Sequence, residues 1–353
     1  MTHEIQSSTQ SLDGQDHDGV ESQWVDVPSV EASNLQAICE TMTELGRRRK
    51  FCISLANKQT NAAKAYVRSA CGFRGDATEG EREAVNKRAA RIVEEFLSGK
   101  PAKDGDDDIL DAVVTELRLV RICLEPLELR RKEVEREMKK LTRSLPVAEW
   151  VDGIAGFGPI GLAIIVAESG NLSNYPHHKM LWKRLGLAPY EGQAYSTWRM
   201  KGGLTADEWT DAGYKPRRRA EIHACIADPM SKHQLTSKEK SGTEYGGAKG
   251  RYGEVYVARR QATAIAHPDW KPAHARMDAL RIMTKALVSD LWSEWRRSDS
   301  SVHPDQKLGA AKDLEGDVSA MVMNDPICIG PSPSNRLWAA MRLAQRRKNS
   351  NPG

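Results

Sequence analysis

Apolar residues recur in alternating steps of three and four through the middle of the chain, and this repeat constrains the fold more than any other feature. Its members are Leu110, Val113, Leu117, Val120, Leu124, Leu127, Val134, Met138, Leu141 and Leu145. Such steps place side chains on one face of an α-helix, and a repeat over about five heptads is typical of a coiled-coil seam. The repeat predicts one long helix over 109–145, kinked at Pro126 because a proline inside a helix removes a hydrogen bond.

Three arrangements bury such a seam: a second copy of the chain, an antiparallel neighbouring helix, or the interior of an ordinary bundle. The first arrangement predicts a homo-oligomer built through residues 109–145. The repeat alone does not choose among them.

Charge is distributed unevenly along the 353 residues, although the formal net charge is only +4. Residues 1–34 contain acidic side chains but no lysine or arginine, and this composition predicts a disordered acidic tail. Basic runs begin at Arg47–Lys50 and recur at 130–132, 215–219 and 346–348. Taken singly, each run is typical of a solvated helix face.

Cysteine usage and hydropathy exclude several classes of protein. The six cysteines are scattered without a Cys-x-x-Cys pair, which argues against a zinc site and against a secreted disulfide framework. The N-terminus is acidic and polar, unlike a secretory leader, and no apolar run reaches the length of a membrane span. These features predict a cytoplasmic protein with no membrane partner.

A glycine-rich stretch from Val151 to Glu168 (VDGIAGFGPIGLAIIVAE) leads from a turn directly into an apolar helix. Gly156, Gly158 and Gly161 allow the backbone to approach another molecule closely, because glycine has no Cβ. Pro159 suits the first turn of a helix, where its missing N–H has no partner to lose. Free amides at a helix N-terminus form an anion site, and here we expect a nucleic-acid phosphate.

Three interpretations of this stretch differ in what the glycines serve. A helix-hairpin-helix would grip a DNA backbone without reading its sequence, with Ile154, Phe157, Ile160, Ala163 and Ile164 as its small core. The same glycines match the Gly-x-Gly-x-x-Gly dinucleotide fingerprint, but no apolar strand precedes them and no carboxylate lies some twenty residues later. The third interpretation is a purely structural turn. The sequence favours the helix-hairpin-helix.

Apolar spacing predicts further helices around 35–70, 81–98, 177–186, 215–227, 272–297 and 335–348, whereas 231–253 has a loop-like composition. The predicted fold class is therefore mainly α, a helical bundle with a long coiled-coil helix and a helix-hairpin-helix. We expect four segments: the acidic tail at 1–34, a helical and coiled-coil region at 35–146, a domain with the helix-hairpin-helix at 147–297, and a linker with a basic C-terminal helix at 298–353.

The order of motifs from 147 to 297 resembles a known family. The matching text comprises Gly153-Ile154-x-Gly156-Phe157-Gly158-Pro159 with Ala163, Val166-Ala167-Glu168-Ser169-Gly170-Asn171-Leu172 with Tyr175-Pro176, Leu185-Gly186-Leu187-Ala188-Pro189, Gly213, Arg217-Arg218-Arg219, and a helix from His274 to Leu287. This ordered set is similar to the C-terminal transposase domain of the IS-one-ten (also IS-one-sixteen and IS-nine-oh-two) insertion-sequence family, which is related to the Piv-type DNA invertases. The resemblance covers less than half of the chain.

The resemblance implies a recombinase whose serine nucleophile follows the Gly-Leu-x-Pro turn. Ser196 is the nearest candidate, displaced by a few residues, with Thr197 second; the alternative is an ordinary loop serine. A serine hydroxyl attacks a phosphodiester and conserves the bond energy in a phosphoserine link for rejoining. Some family members are guided by a structured RNA.

Basic residues near this serine and at the start of the next predicted helix are expected to contact phosphates. They are Arg199, Lys201, Lys215, Arg217, Arg218 and Arg219, and they join Gly156, Gly158, Pro159 and Gly161 in the predicted nucleic-acid-binding set. The alternative for the arginine run is a solvated helix end. Among Trp182, Trp198, Trp209 and Trp270, only Trp198 lies in a polar loop where base stacking is expected; the others are predicted to pack in the core.

The N-terminal half of the family resembles a Holliday-junction resolvase with an acidic quartet that binds magnesium. Residues 1–108 show no such pattern, so the chain looks like a diverged member that lacks this half, and magnesium is expected only through a partner domain. The acidic run Asp104, Asp106, Asp107 and Asp108 is more typical of a solvated helix cap than of a metal site.

The leading hypothesis is therefore a DNA-binding transposase that acts through Ser196, with DNA and in some cases a guide RNA as partners. The alternative is a non-catalytic nucleic-acid-binding remnant or accessory protein of a mobile element. A third hypothesis is a coiled-coil assembly protein without a nucleic-acid role.

Overall fold

The mainly α fold class is confirmed. In the computed structural model the helices are α1 (Leu35–Ala70), α2 (Glu79–Leu97), α3 (Asp107–Thr142), α4 (Ala148–Asp152), α5 (Pro159–Ser169), α6 (His178–Arg184), α7 (Pro216–Ile222), α8 (Asp228–Gln234), α9 (Arg251–Ala266) and α10 (Pro272–Ser298). A 3-10 turn (Leu172–Asn174) follows α5, and a π-helical turn (His223–Ala227) joins α7 to α8. The structure describes residues 35–101, 103, 105–188, 216–237, 242 and 244–298, and over these the only β pairing is an isolated bridge between Leu235 and Ala248.

Two of the predicted segments lie outside the described residues: the acidic tail at 1–34 and the linker with its basic helix beyond 298. The division of the chain into four segments stays a prediction.

The predicted long helix is present as α3, which continues as one helix through Pro126. It packs against α1, which has the same length of 36 residues, and the two run antiparallel. Arg49 of α1 contacts Glu135 near the end of α3, whereas Val67 of α1 packs in one cluster with Leu117 nearer its start. The seam is thus buried within the chain, in the antiparallel arrangement that was one of the three expected.

Helix α2 closes one end of the α1–α3 pair. Its start is fixed by a capping box, in which the Thr78 hydroxyl accepts from the Glu81 amide and the Glu81 carboxylate accepts from the Thr78 amide. Ile92 and Val93 of α2 are buried against Val67 and Leu117. The cluster extends the core beyond the two long helices.

Asp106 fixes the connection from α2 to α3, and this explains part of the acidic run. Its buried carboxylate accepts from Arg88 Nε at 2.7 Å and pairs with Arg91 Nη2 at 2.6 Å. Burial raises the pKa of Asp106, but the Arg88 hydrogen bond and the Arg91 charge outweigh it, so that the pKa lies below its ordinary value. Asp106 is therefore a structural clamp rather than a metal ligand; Asp107 and Asp108 form the first turn of α3, and Asp104 lies outside the described residues.

Helix α5 covers the other end of the pair. It is apolar on all sides, and Leu162, Ile164 and Ile165 are buried. Where it crosses α1, a Cβ built at Gly46 would lie 2.5 Å from the Cβ of Ala167, so only glycine permits this close crossing. The core of the molecule therefore fixes the position and direction of α5, and with it the turn that precedes α5.

Helix α9 was not predicted from the sequence, and no helix or strand was predicted over most of its length. It packs against α10 through a buried ion pair, in which Arg259 Nε donates to Asp278 at 2.6 Å. Its buried face includes Arg259 and Thr263 as well as Tyr256, so an apolar periodicity is weak there. Trp182 of α6 is buried as predicted and donates to the Lys285 carbonyl of α10 at 3.1 Å.

Candidate nucleic-acid interface

A short helix, a turn and a second helix lie where the sequence predicts a helix-hairpin-helix. Helix α4 ends at Asp152, residues 153–158 form the hairpin, and α5 begins at Pro159. The hairpin is closed by a hydrogen bond from the Phe157 amide to the Ile154 carbonyl at 3.0 Å, and Phe157 is buried beneath it. Because a helix rather than a strand precedes the glycines, the dinucleotide fingerprint lacks its required context.

Two of the four predicted hairpin contacts serve packing within the chain. Gly156 adopts a φ of +84°, and a Cβ there would lie 2.8 Å from the Met230 Cα and 3.0 Å from the His233 Cβ of α8. A Cβ at Gly161 would lie 2.9 Å from the Phe157 ring. These glycines admit α8 and an aromatic ring, respectively, so their lack of a side chain is explained without a ligand.

The other two contacts, Gly158 and Pro159, lie at the open N-terminus of α5. Gly158 is the N-cap residue, and a Cβ built on it meets nothing within 4 Å. Pro159 occupies the first helical position and is exposed, as the sequence predicted. Pro159 has no N–H, and the Gly161 amide already donates to the Gly158 carbonyl at 2.9 Å. This end of α5 therefore offers an anion the Ile160 amide and the partial positive charge of the helix dipole.

The rod formed by α7, the π turn and α8 lies antiparallel to the hairpin and α5. Arg218 near its start contacts Glu168 at the end of α5, and Ile226 in its middle lies beside Gly161. At its end, the Gln234 side-chain amide donates to the Ala155 carbonyl of the hairpin at 2.8 Å. The rod therefore supports the hairpin along its whole length.

The π turn follows from Pro229. A proline lacks the N–H that would bond to the carbonyl four residues earlier, and its ring clashes with that carbonyl. The helix widens just before Pro229, where the Asp228 amide bonds to the His223 carbonyl instead. The predicted helix over 215–227 is correct in position, but it continues through the π turn to Gln234.

This extension places two basic side chains, which were not predicted as part of the site, on the helix that packs against the hairpin. Lys232 is 72% exposed and makes only a 3.6 Å ion pair with Asp228, and His233 is exposed next to Gly156. Both fall in a stretch predicted to be a loop. The sequence signal for this helix was Pro229, because a proline is tolerated in the first turn of a helix. Lys232 and His233 follow it within two turns.

The arginine run splits into an exposed part and an internal part. Arg217 is exposed and Arg219 is half-buried. Arg218 is buried, and its Nε donates to the Glu168 carboxylate at 2.7 Å. Arg218 therefore joins α7 to α5, and its charge is already balanced by a carboxylate.

Glu168 belongs to a larger network of charges at the junction of α1, α3, α5 and α7. Arg49 donates to Glu135 at 2.8 Å and to Glu221 at 2.5 Å, and Lys50 pairs with both Glu168 and Glu221. Burial lowers the pKa of Arg49, yet its hydrogen bond to Glu135 and the neighbouring charges raise it above the ordinary value. This network holds α7 in place, so it orients the rod that supports the hairpin.

The remaining predicted site residues, Ser196, Thr197, Arg199, Lys201 and Lys215, lie outside the described residues, as do Trp198 and Trp209. Among the described residues, Leu187 and Arg219 line a small cleft. His223 and Arg281 line it as well. Burial lowers the pKa of His223, with Asp228 opposing this effect and Arg276 reinforcing it.

Over the described residues, no set of three or more His, Cys, Asp or Glu side chains is arranged to hold a metal ion. The cysteines within these residues, Cys39, Cys52, Cys71, Cys123 and Cys225, are all free thiols. No helix in the described part of the chain has the length and apolar character needed to cross a bilayer.

Comparison of the chain with models of protein families, with curated proteins and with solved structures found no match.

Proposed function

We propose that the chain is a DNA-binding protein of the transposase type, which holds the sugar–phosphate backbone with its helix-hairpin-helix. The observation that carries this proposal is the open N-terminus of α5 at Gly158, with the basic side chains of Lys232 and His233 on the helix packed against the same hairpin. The sequence resemblance to the IS-one-ten family agrees with it, because the same hairpin is part of that resemblance.

The chemistry of this site suits a phosphate. Backbone amides at a helix N-terminus donate hydrogen bonds to anions, and the helix dipole adds to the attraction. Lys232 on α8 contributes a flexible positive charge, and His233 next to Gly156 adds a donor. None of these groups reads a base, so the site positions a backbone and binds DNA without sequence specificity.

Strand cleavage and rejoining through Ser196 is the catalytic part of the proposal. The Ser196 oxygen would form a bond to phosphorus while the bridging P–O bond breaks, and the leaving deoxyribose oxygen would take a proton. Arg199, Lys201 and the exposed Arg217 are the groups proposed to balance the charge on the phosphate. The magnesium-binding domain that such a reaction requires would be supplied by a partner protein.

A specific observation favours a second candidate function, that of a non-catalytic nucleic-acid-binding accessory protein. Arg218, the middle residue of the arginine run, is buried in an ion pair with Glu168. A side chain used in this way supports the fold and is withdrawn from the phosphate. In this case the hairpin binds DNA and no covalent intermediate forms.

The binding proposal is tested by measuring the affinity for duplex DNA and for a structured RNA over a salt series, with Gly158→Asp as the critical variant. Aspartate is a favourable N-cap residue, so this variant keeps the fold while its carboxylate occupies the anion site. Gly153→Asp is the matched control, since it adds the same charge to the same hairpin at the end of α4.

We expect wild-type affinity to fall steeply with salt, and Gly158→Asp to weaken binding roughly tenfold or more while Gly153→Asp has little effect. Absence of binding at low salt, or equal behaviour of the two variants, contradicts the proposal and leaves a structural hairpin. A protein–DNA adduct that survives denaturant and disappears in Ser196→Ala supports the recombinase; DNA binding without an adduct supports the accessory protein.

A further inference from the structure

Three aromatic rings are stacked on the surface turn between α9 and α10. The rings of His267 and Trp270 lie 4.5 Å apart at an interplanar angle of 18°, and those of Trp270 and His274 lie 3.9 Å apart at 9°. The sequence predicts that Trp270 packs in the core. Instead it forms the centre of a stack of nearly parallel rings outside the core.

Two prolines hold this stack rigid. Residues 267–270 (His-Pro-Asp-Trp) form a turn in which the Trp270 amide bonds to the His267 carbonyl at 3.1 Å, and the ring of Pro268 fixes the backbone at its second position. Pro272 starts α10, where the His274 amide bonds to the Lys271 carbonyl at 2.8 Å. A surface that is ordered before binding loses little conformational entropy when a partner arrives.

The stack is accessible to a partner. His274 is exposed, and His267 and Trp270 are half-buried. Ile265, two residues before His267, is 84% exposed, so this end of the α9–α10 pair contributes apolar surface that the core does not use.

Positive charge accompanies the rings. Lys271 is exposed directly after Trp270. Arg260 of α9 adds a second cation, whose guanidinium lies over the Tyr245 ring at 5.2 Å from its centroid. Asp269, at the tip of the turn, is the carboxylate nearest in sequence.

We infer that the His267–Trp270–His274 stack is a platform for unpaired bases of a single-stranded nucleic acid. Flat, parallel rings beside mobile cations suit bases and phosphates, because every base has a π face and every nucleotide a charge. The exposed face of His274 extends the stack by one base, and Lys271 neutralises the adjoining phosphate. This inference rests on the proposed function, since it gives the same DNA-binding chain a second contact for strands that are opened.

The test compares full-length protein binding to a fluorescently labelled single strand and to the matched duplex, for Trp270→Ala and His274→Ala. We expect each variant to weaken single-strand binding about tenfold while duplex binding changes less than twofold. Trp270→Phe keeps an aromatic face and Ile265→Ala removes a neighbouring apolar side chain outside the stack, so both should bind the single strand almost normally. Unchanged thermal melting of each variant shows that the fold is intact.

A second measurement locates the contact directly: a single strand that carries 5-bromouracil is photo-crosslinked to the protein, and the crosslinked peptide should contain residues 267–274. Equal loss on single strand and duplex, no loss in either alanine variant, or crosslinks confined to other peptides overturns the inference. Wild-type protein that binds duplex but not single strand overturns the platform alone, whereas protein that binds neither also overturns the proposed function.

Discussion

At the scale of single residues, the glycines of one short motif do different things. Gly156 permits a left-handed backbone against α8, Gly161 admits the Phe157 ring, and Gly158 faces open space. The sequence reveals where glycines are dense but not this division, because a missing side chain looks the same whatever lies opposite it. Only the three-dimensional neighbours identify Gly158 as the position that is open to a ligand.

Gly156→Ala should lower the free energy of unfolding by about 2 kcal/mol, since it adds strain at a positive φ and an overlap with α8. Gly158→Ser is the control, and it should leave stability unchanged or slightly higher because serine is a good N-cap residue. Urea unfolding followed by circular dichroism measures both. Equal stabilities of the two variants would mean that α8 does not pack on the hairpin as described.

Asp106→Asn should destabilise the protein by about 2 kcal/mol at neutral pH, because it removes the carboxylate that pairs with Arg88 and Arg91. The folded state holds this proton more weakly than the unfolded chain, whose ordinary pKa is 3.8. The stabilisation is therefore present above that pKa and is lost as pH falls through the lower pKa of the folded state.

Urea unfolding of wild type and Asp106→Asn at neutral and acidic pH measures this dependence, with the neighbouring first-turn variant Asp107→Asn as control. We expect the difference between wild type and Asp106→Asn to shrink below about pH 4. A difference that does not depend on pH would mean that the clamp acts through packing and not through charge.

At the scale of helices, periodicity succeeds where one face is apolar and fails where it is not. The bounds of α1 and α3 follow from their apolar steps, and α10 begins at Pro272 as the sequence predicted. Helix α9 was not predicted because its buried face includes Arg259 and Thr263, which are not part of an apolar pattern. The hairpin was predictable from its glycines and proline. The basic side chains on α8 were not, because α8 itself was not predicted.

The buried pair that joins α9 to α10 gives a test at this scale. Asp278→Ala should destabilise the protein by about 3–5 kcal/mol, because it leaves Arg259 buried without its carboxylate. Burial raises the pKa of Asp278, but Arg281 and Arg259 lower it below its ordinary value, so the carboxylate is charged at neutral pH.

The double variant Arg259→Met with Asp278→Leu should recover part of the loss, since apolar side chains replace the Arg259–Asp278 pair at little cost. Buried Arg281, which pairs with Asp278 at 2.8 Å, still loses that carboxylate. Thermal or urea unfolding of the single and double variants decides the question. Additive losses in the double variant would indicate that these two side chains do not interact.

At the scale of the whole molecule, the α1–α3 pair is covered at each end by different helices. Between the ends, a cleft is lined by α1 and α3 alone, with Cys52 and Leu127 among its residues. Phe51 and Ile122 are each 66% exposed, and Leu129 is 55% exposed. The seam proposed for self-association is thus used within the chain. An exposed apolar stripe remains on α3 for a second copy, where Ile122 and Leu129 lie seven residues apart on one face.

We expect the protein to self-associate through this stripe, so Ile122→Glu should shift it towards monomer. A buried carboxylate without a partner disfavours association strongly, while Arg118→Glu on the same helix changes charge without touching an apolar residue. Light scattering coupled to size-exclusion chromatography measures the mass of each. Wild-type protein that is already monomeric, or variants that behave alike, would contradict a homo-oligomer built through 109–145.

The antiparallel α1–α3 pair also fixes the distance between the helices that pack at its two ends. The crossing with α5 at Gly46 and the cluster with α2 at Val67 are separated by a fixed number of helical residues, which corresponds to about 30 Å along the axis. Adding seven residues to each helix would lengthen this separation by about 10 Å and keep the faces in phase, whereas adding four or five would rotate one end against the other. The number of residues in α1 and α3 therefore sets the distance between α2 and α5. Whether an insertion is a whole number of heptads sets the rotation of one end relative to the other.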